Sequence, residues 1–364
     1  MAHTKLTYSK TAIDKAGRSL CAPGEDREQL ESSLEALNNW RSFHRFPLNT
    51  ITVDLRLKVQ RIRSTASSPV RRLKRARSII SKVGKESMRL TQMQDIGGCR
   101  AVLPDIASVY QVKSLYESGR SAHHLVAVDD YIANPKPSGY RSLHLVFKFK
   151  SAGYPQYNNL LIEVQLRTTT QHAWATAVET VGALSGQALK SSEGEQDWLD
   201  FFKLASLALE HSEYAVPPRQ MQISAGDVAR SLSLLRKKLH VEKKLTAYRE
   251  ALKATEKNFT RKAAYYLLVL LPEQPQLQIF SYSRHSTEQA FSDYEKFERL
   301  LPLYPSRRQL PLFPELENYS GAQAVLVGAE SFKDLRDSFP NYYLDTKLFL
   351  EKLDLFVRRY IRST

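Results

Sequence analysis

The chain has 364 residues, of which 42% are hydrophobic, and it carries 53 Lys and Arg against 38 Asp and Glu, a net charge of +15. This composition excludes wholesale disorder, and two cysteines, Cys21 and Cys99, exclude a disulfide framework or a zinc site. The length allows two or three domains, and the charge predicts a polyanionic partner such as nucleic acid, a nucleotide or an acidic membrane surface.

Near the start of the chain, apolar residues recur with the spacing of a helix. The pattern of Leu30, Leu34, Leu37 and Trp40 predicts a helix over 24–45, and a second helix is expected over 47–63. After the short loop TASSPV, the segment RRLKRARSIISKV is predicted to form a basic helix. Residues 59–90 hold ten Lys and Arg and one acid, so this region alone contributes +9.

The middle of the chain is rich in β-type sequence. The runs CRAVL, HHLVAVDDYI, SLHLVFKF and NNLLIEVQLRT are short, apolar and separated by turn signals. Residues 106–117 read as a helix between the first two runs, and TTTQHAWATAVETVGAL reads as a helix after the last. We therefore predict an α+β fold with a mixed or antiparallel β-sheet flanked by helices.

The last part of the chain begins with a helix from about residue 193 and a linker, AVPPRQMQ. One long basic helix is predicted over 225–262, which contributes +7, followed by a small α/β domain with strands AAYYLLVLL, QLQIFSYS and AQAVLVGA. No signal peptide is recognisable and the longest apolar run, 263–271, is too short to span a bilayer. We expect a cytoplasmic protein without membrane contacts.

One strand concentrates the polar chemistry. In LLIEVQLRT, alternation places Ile162 and Val164 on an apolar face and Glu163, Gln165 and Arg167 on the other. A surface strand can show the same pattern, so the neighbouring segments decide the interpretation.

Two neighbouring segments bring more polar groups to the same region. QDIGGCR places Asp95 and Arg100 at the ends of a Gly-Gly turn, and PKPSGYRSLH delivers His144 with an exposed Tyr140 nearby. The basic helix precedes them. Two carboxylates, several cations and an aromatic ring suit phosphoryl-type transfer: carboxylates hold Mg²⁺, cations neutralise phosphates, a ring stacks on a base, and a carboxylate can act as general base.

These segments resemble the synthetase domain of the RelA/SpoT family, the alarmone synthetases. The family's basic helix, DxxGxR strand, DYI-x-x-PK-x-x-GY-x-S-x-H segment and E-x-Q-x-R-T strand correspond in order to RRLKRARSIISK, DIGGCR, DYIANPKPSGYRSLH and EVQLRT, over roughly residues 60–190. The resemblance implies a nucleotidyltransferase-like synthetase domain, transfer of the β,γ-pyrophosphate of ATP to a ribose 3′-hydroxyl of a guanosine nucleotide, and a need for Mg²⁺.

The resemblance also implies residue roles. Asp95 and Glu163 would be the catalytic metal ligands, with Glu163 holding Mg²⁺ or activating the hydroxyl. Tyr140 would stack on the acceptor base, with Lys136 on the same side. The residues expected to bind the ATP phosphates and adenine or to support the catalytic strand are Arg72, Lys74, Ser78, Lys82, Arg100, His144, Gln165 and Arg167.

The same resemblance suggests the domain layout. N-terminal helices are expected over 1–60, the synthetase domain over 61–220, and a basic helix with a C-terminal regulatory or interaction domain over 221–364. The sequence contains no His-Asp dipeptide, the metal motif of the hydrolase domain in long family members, so we expect a synthetase without a hydrolase.

Three functions stay open at this point. The first is alarmone synthesis from ATP and GDP or GTP. The second is a toxic relative that pyrophosphorylates the 3′ end of tRNA and blocks translation, with the basic face of 225–262 tracking RNA. The third is a non-catalytic nucleotide- or RNA-binding regulator. A solvated helix packed on the synthetase domain explains the same basic face, and a homo-oligomer is a further open partner.

Overall fold

A computed structural model describes the chain over most of its length. The described residues are 4–22, 26–62, 68–119, 121–185, 189, 194–214, 224–251, 253–257, 263–271, 276–300, 323–329 and 346–361. The N-terminal helices are α1 (Lys10–Ser19), α2 (Arg27–Phe43) and α3 (Arg45–Arg61). The side chain of Asp26 caps α2 by accepting a hydrogen bond from the backbone N of Gln29 at 2.8 Å. The two helices predicted over 24–45 and 47–63 are confirmed.

The middle of the chain alternates strands and helices. Its elements are β1 (Val70–Leu73), α4 (Ala76–Glu86), β2 (Gly97–Leu103), α5 (Ile106–Glu117), β3 (His124–Asp130), β4 (Leu143–Lys148), β5 (Leu161–Thr168), α6 (Thr169–Ser185) and α7 (Gln196–Glu213). The prediction of an α+β fold with a mixed sheet is confirmed.

The basic helix is shorter than the sequence suggested, and this part of the prediction is wrong. Arg72 lies on strand β1 and Lys74 in the turn that follows, because β1 pairs with a strand on each side. Only Ser78 and Lys82 of the predicted donor residues lie on α4. Four residues are too few to show a period of two, so local pattern alone could not separate this strand from the helix after it.

The C-terminal elements include three predicted strands. They are α8 (Ala225–Leu239), α9 (Val241–Ala251), β6 (Lys253–Lys257), β7 (Tyr265–Leu271), β8 (Gln276–Tyr282), α10 (Thr287–Leu300), β9 (Gln323–Gly328) and α11 (Lys347–Ile361). The single long helix predicted over 225–262 is wrong. His240 adopts a left-handed conformation with φ of 52° and ends α8, and β6 pairs with the distant β8. The predicted linker and the boundary near 220 lie outside the described residues.

In the described part of the chain, nine strands form one sheet in the order β3-β4-β5-β2-β1-β9-β7-β8-β6. β2 and β5 are parallel neighbours, and so are β6 and β8, whereas the other pairs are antiparallel. The pairing of β1 with β9 joins the C-terminal strands to the middle of the chain. At this junction Gly328 lies opposite Arg71, and a Cβ on Gly328 would lie only 2.6 Å from the Arg71 guanidinium carbon.

Two hydrophobic cores support this sheet. The larger core packs the apolar face of β2, β4 and β5 against α1–α5 and continues between β7, β9 and α10, and the smaller one unites α6, α7, α8, α9 and α11. Of the helices in the described ranges, none combines the length and the apolarity that crossing a membrane requires. The polar face of β5 lies opposite the larger core, and this face carries the candidate site.

Candidate active site

Strand β5 shows the predicted alternation of faces. Ile162 and Val164 are completely buried in the larger core, whereas the Glu163 side chain on the opposite face is 13% exposed. The parallel register of β2 places Gly98 opposite Glu163. Because Asp95 lies just before β2, its carboxylate and that of Glu163 reach the same end of two neighbouring strands. The sequence argument required this adjacency, and the register confirms it.

An open cleft lies over these strands, with about 410 Å³ of empty space including its mouth. It is lined by Val70, Arg72, Lys74, Asp95, Gly98, Cys99, Arg100, Glu163 and Gln165. Six of these nine residues were expected at the site. Gly98 leaves the floor of the cleft open beside Glu163. A Cβ on Gly98 would have only the Glu163 carbonyl within 4 Å, at 3.8 Å, so a side chain there would occupy the cleft rather than pack against protein.

Two lysines neutralise Asp95. Lys74 Nζ lies 2.7 Å from Asp95 Oδ2, and Lys82 Nζ lies 3.3 Å from Asp95 Oδ1. Lys74 comes from the turn after β1 and Lys82 from the middle of α4, so the structure gathers three predicted residues from three elements. All three side chains are partly exposed, and Lys74 and Asp95 line the cleft.

Glu163 sits in a network of donors. His144 Nδ1 lies 2.9 Å from Glu163 Oε1, and Gln165 Nε2 donates to Glu163 Oε2. Burial opposes ionisation of this carboxyl group, but the imidazole of His144 and the two hydrogen bonds outweigh it and lower the pKa of Glu163 well below its ordinary value. Burial likewise opposes the charged form of His144, yet Tyr140 and Glu163 together raise the pKa of His144. Glu163 is therefore ionised at neutral pH.

Tyr140 is buried rather than exposed, which corrects the expectation from sequence. Only 5% of it is accessible, because α7 packs over the preceding turn: Ser206 Oγ donates to the carbonyl of Gly139. The Tyr140 hydroxyl lies 2.8 Å from His144 Nε2 and accepts a hydrogen bond from Arg167 Nη2 at 2.6 Å. With a neutral imidazole, Tyr140 donates to Nε2 and the ring donates to Glu163.

Arginines in and beside the cleft make it strongly cationic: Arg72 and Arg100 line it, and Arg167 is close enough to repel Arg100. Arg100 is 7% exposed and Arg167 only 1%. Burial, together with the positive charges of Arg167 and Arg72, lowers the pKa of Arg100 to about 9. An anion placed in this cleft would relieve that repulsion.

Within the described residues, six predicted residues do not line the cleft itself: Ser78, Lys82, Lys136, Tyr140, His144 and Arg167. Ser78 is in the first turn of α4, and among the described residues the cleft lining does not include it. Lys136 is exposed on the turn before Tyr140, with its Nζ 4.4 Å from the centroid of the Tyr131 ring. Tyr131 is partly exposed and packs edge-on against His144 at 5.2 Å, so it connects the Lys136 turn with the network around Glu163.

Sequence reasoning missed three residues near the cleft: Tyr131, Arg41 and Glu298. Tyr131 stands inside the DYI motif, so a second aromatic in that motif was an available signal. Arg41 on α2 and Glu298 on α10 form a buried ion pair, although the two residues are 257 positions apart in the sequence. No local pattern could have paired them.

Comparisons with known proteins match the part of the chain that carries this cleft. The family model described as "Region found in RelA / SpoT proteins" matches residues 71–181, which include most of the cleft. The GTP pyrophosphokinase YjbM of Bacillus subtilis is 32% identical over 142 residues, covering 36% of this chain and 67% of YjbM. The chain belongs to the RelA/SpoT family.

A second relative and a solved structure also match parts of this chain. The GTP pyrophosphokinase YwaC of Bacillus subtilis is 31% identical over 111 residues, and the match spans 29% of this chain and about half (52%) of YwaC. A solved structure of small alarmone synthetase 1 from Bacillus subtilis, bound to its product pppGpp, superposes with a TM-score of 0.40 at 27% identity over 48% of this chain and 93% of that one.

Proposed function

We propose that this chain is a pyrophosphokinase that transfers the β,γ-pyrophosphate of ATP to the 3′-hydroxyl of a guanosine nucleotide, GDP or GTP. The observation that carries the proposal is the placement of Asp95, just before β2, and of Glu163, on the parallel neighbouring strand β5, at one cationic cleft. The GTP pyrophosphokinase relatives supply the reaction class.

The donor side is the part of the cleft around Arg72, Lys74, Lys82 and Arg100. Transfer of a polyphosphate group requires positive charge along the phosphates, since there is little covalent work for the protein to do. Burial, and after it the positive charges of Arg167 and Arg72, lower the pKa of Arg100, so a bound polyphosphate would favour its charged form. We assign the triphosphate of ATP to this side of the cleft.

The carboxylates suit a magnesium ion. Oxygen ligands from one or two carboxylates, completed by water and substrate phosphates, are the usual environment of Mg²⁺. Asp95 and Glu163 would hold the ion, which when bound neutralises charge on the transferred phosphates. In the described contacts both carboxylates already have cationic or amide partners. We therefore propose that the nucleotide phosphates take over Lys74 and Lys82 from Asp95, which would free the Asp95 carboxylate to hold the ion together with Glu163.

The acceptor side lies around Lys136, Tyr131 and Tyr140. The partly exposed ring of Tyr131 lies under the Lys136 ammonium group and 6.0 Å from the centroid of Tyr140. We propose that the acceptor base rests against the Tyr131 ring, which packs edge-on against the buried ring of Tyr140. The ionised Glu163 then accepts the hydrogen bond of the 3′-hydroxyl and orients its oxygen for attack, while His144 and Gln165 hold the carboxylate in place.

The segment α8–α9 bears on the choice of acceptor. Arg236 pairs with Glu242 and Asp354, and Lys238 Nζ lies 2.7 Å from Asp197 Oδ2. Val228, Ala229 and Leu232 are buried in the smaller core. These contacts favour a packing role for the basic segment, so we propose a nucleotide rather than tRNA as the acceptor.

One labelling experiment separates the three functions. The purified chain is incubated with γ-labelled ATP and Mg²⁺, in separate reactions with GDP, GTP and deacylated tRNA. Label on the guanosine nucleotide is the expected result. Label on tRNA alone would identify the toxic relative, and label on none of the acceptors would leave a non-catalytic binding protein; either outcome refutes the proposal.

A further inference from the structure

The last turn of α10 carries an acid that contacts the start of α4. Glu298 is 8% exposed, and its Oε1 accepts a hydrogen bond from the backbone N of Ala76 at 2.9 Å. Its other oxygen pairs with the guanidinium of Arg41, and the Tyr294 hydroxyl donates to Oε1 at 2.9 Å. A residue from the C-terminal third of the chain therefore holds the first residue of α4.

Arg41 holds the same turn from the other side. This buried side chain donates from Nε to the carbonyl of Lys74 at 3.0 Å and from Nη1 to Asn38 at 2.8 Å. The backbone N of Lys74 donates to the carbonyl of Ile96 at 2.9 Å. The carbonyl of Lys74 and the amide of Ala76 are thus both fixed, one by Arg41 and the other by Glu298.

This turn needs an external partner. The first amides of a helix have no partner within it, and a side chain at the N-cap position normally accepts one of them. The N-cap residue of α4 is Arg75, which provides no such hydrogen bond. Glu298 takes that role from a distant helix, and its negative charge also suits the positive end of the α4 dipole.

The turn matters because of what it presents to the cleft. Lys74 directs its ammonium group to Asp95, and Lys82 reaches the same carboxylate from two turns further along α4. A shift of the β1–α4 turn would move both lysines away from the donor side of the cleft. Glu298 itself does not line the cleft within the described residues, so it acts through this turn.

We propose that Glu298 is a positioning residue for ATP: by capping α4 it holds Lys74 and Lys82 where they meet the donor phosphates. The inference rests on the proposed function for the identity of the donor. It makes α10 part of the donor site, although the sequence placed this segment in a separate regulatory or interaction domain.

Two substitutions of Glu298 separate the cap from the ion pair. Glu298→Gln keeps the length of the side chain and an oxygen for the Ala76 amide but removes the charge opposite Arg41. Glu298→Asp keeps the charge but is one methylene too short to reach Ala76. The control is Glu288→Ala, on the same helix, where an exposed carboxylate pairs with Arg45 at 3.2 Å.

The measurement is the Kd for a non-hydrolysable ATP analogue with Mg²⁺, together with KM for ATP and for the acceptor and a urea unfolding curve. Loss of one such hydrogen bond predicts about a tenfold rise in Kd and in KM for ATP in Glu298→Asp. KM for the acceptor and kcat at saturating ATP should change less than about twofold. Glu288→Ala should bind the analogue as the wild type does. Glu298→Gln keeps an oxygen for the Ala76 amide but leaves Arg41 without its charged partner, so it should lose stability in urea while its Kd rises less than that of Glu298→Asp.

The inference is overturned if Glu298→Asp binds the analogue as tightly as the wild type, if it binds more tightly, or if both KM values rise together in proportion to lost stability. A wild-type chain that binds the analogue but transfers no pyrophosphate refutes the proposed function and leaves the positioning role to be judged on Kd. A wild-type chain that binds no analogue overturns both.

Discussion

The substitution Glu163→Gln removes one charge from the cleft and creates a conflict between donors. If the new amide oxygen keeps the hydrogen bond from His144, the new NH₂ group faces Gln165 Nε2, which is also a donor. Rotating the Gln165 amide moves the conflict to Arg167 Nη2, which donates to Gln165 Oε1 at 3.3 Å. A charge-assisted hydrogen bond is worth about 1.5–3 kcal/mol, and removing a buried charge offsets part of its loss. We expect a net destabilisation of about 1–2 kcal/mol.

The effect on activity should be far larger. Glu163 is proposed to hold the metal and orient the acceptor hydroxyl, so Glu163→Gln should lower kcat by at least about 10³-fold while the chain stays folded. Initial rates of label transfer and urea unfolding measure the two effects on one preparation. Asp54→Asn is the control, because Asp54 pairs with Lys58 at 2.7 Å on α3, away from the cleft lining. Near-normal turnover of Glu163→Gln would refute the reasoning.

Three other substitutions test separate parts of the account. Lys74→Met removes a cation that competes with a metal ion for Asp95. The affinity for free Mn²⁺, measured by electron paramagnetic resonance, should therefore rise about tenfold, while the affinity for the complex of Mn²⁺ with an ATP analogue falls. An unchanged affinity for free Mn²⁺ would contradict the proposal that Lys74 moves from Asp95 to the phosphates. Folding raises the pKa of His144, so the stabilisation that His144 contributes is complete below about pH 6.5 and is lost as the pH rises through its folded-state pKa. His144→Asn should therefore lower the free energy of unfolding more at about pH 6 than at about pH 9. An equal decrease at both pH values would contradict the raised pKa. Gly139 has a φ of +88°, and an added Cβ would lie 2.8 Å from the Cβ of Ser206, so Gly139→Ala should lower the free energy of unfolding in urea by about 1–3 kcal/mol. Gly153→Ala is the control, because an added Cβ there meets nothing within 4 Å. Equal stability of the two variants would contradict the close packing of α7 on this turn.

The face of each central strand could be predicted because alternation is a local property. Ile162 and Val164 are buried and Glu163 faces the cleft, as the order of residues in β5 required. The bounds of α5 also followed from local signals, since Asp105 caps the helix by accepting from Ser108 N at 2.7 Å. Gathering Asp95 with Glu163 needed only the adjacency of two strands.

The errors came from contacts between distant parts of the chain. Arg72 lies on a strand because β9, more than 250 residues later, pairs with β1 through Val327. Tyr140 is buried because α7 covers its turn, and the composition of the turn does not show that cover. The cap of α4 by Glu298 is of the same kind. Burial and capping by remote elements leave no periodic signal in the sequence of the covered segment.

The central claim is that the cleft moves a pyrophosphate group, and the products released from ATP test it most directly. Wild-type chain, ATP, Mg²⁺ and GDP or GTP are mixed, and the adenine nucleotides are separated by chromatography as the reaction proceeds. The account predicts one AMP for each guanosine nucleotide that gains two phosphates, with no AMP from Glu163→Gln. Formation of ADP, which indicates transfer of a single phosphate, or of free pyrophosphate with an adenylated acceptor, would contradict it.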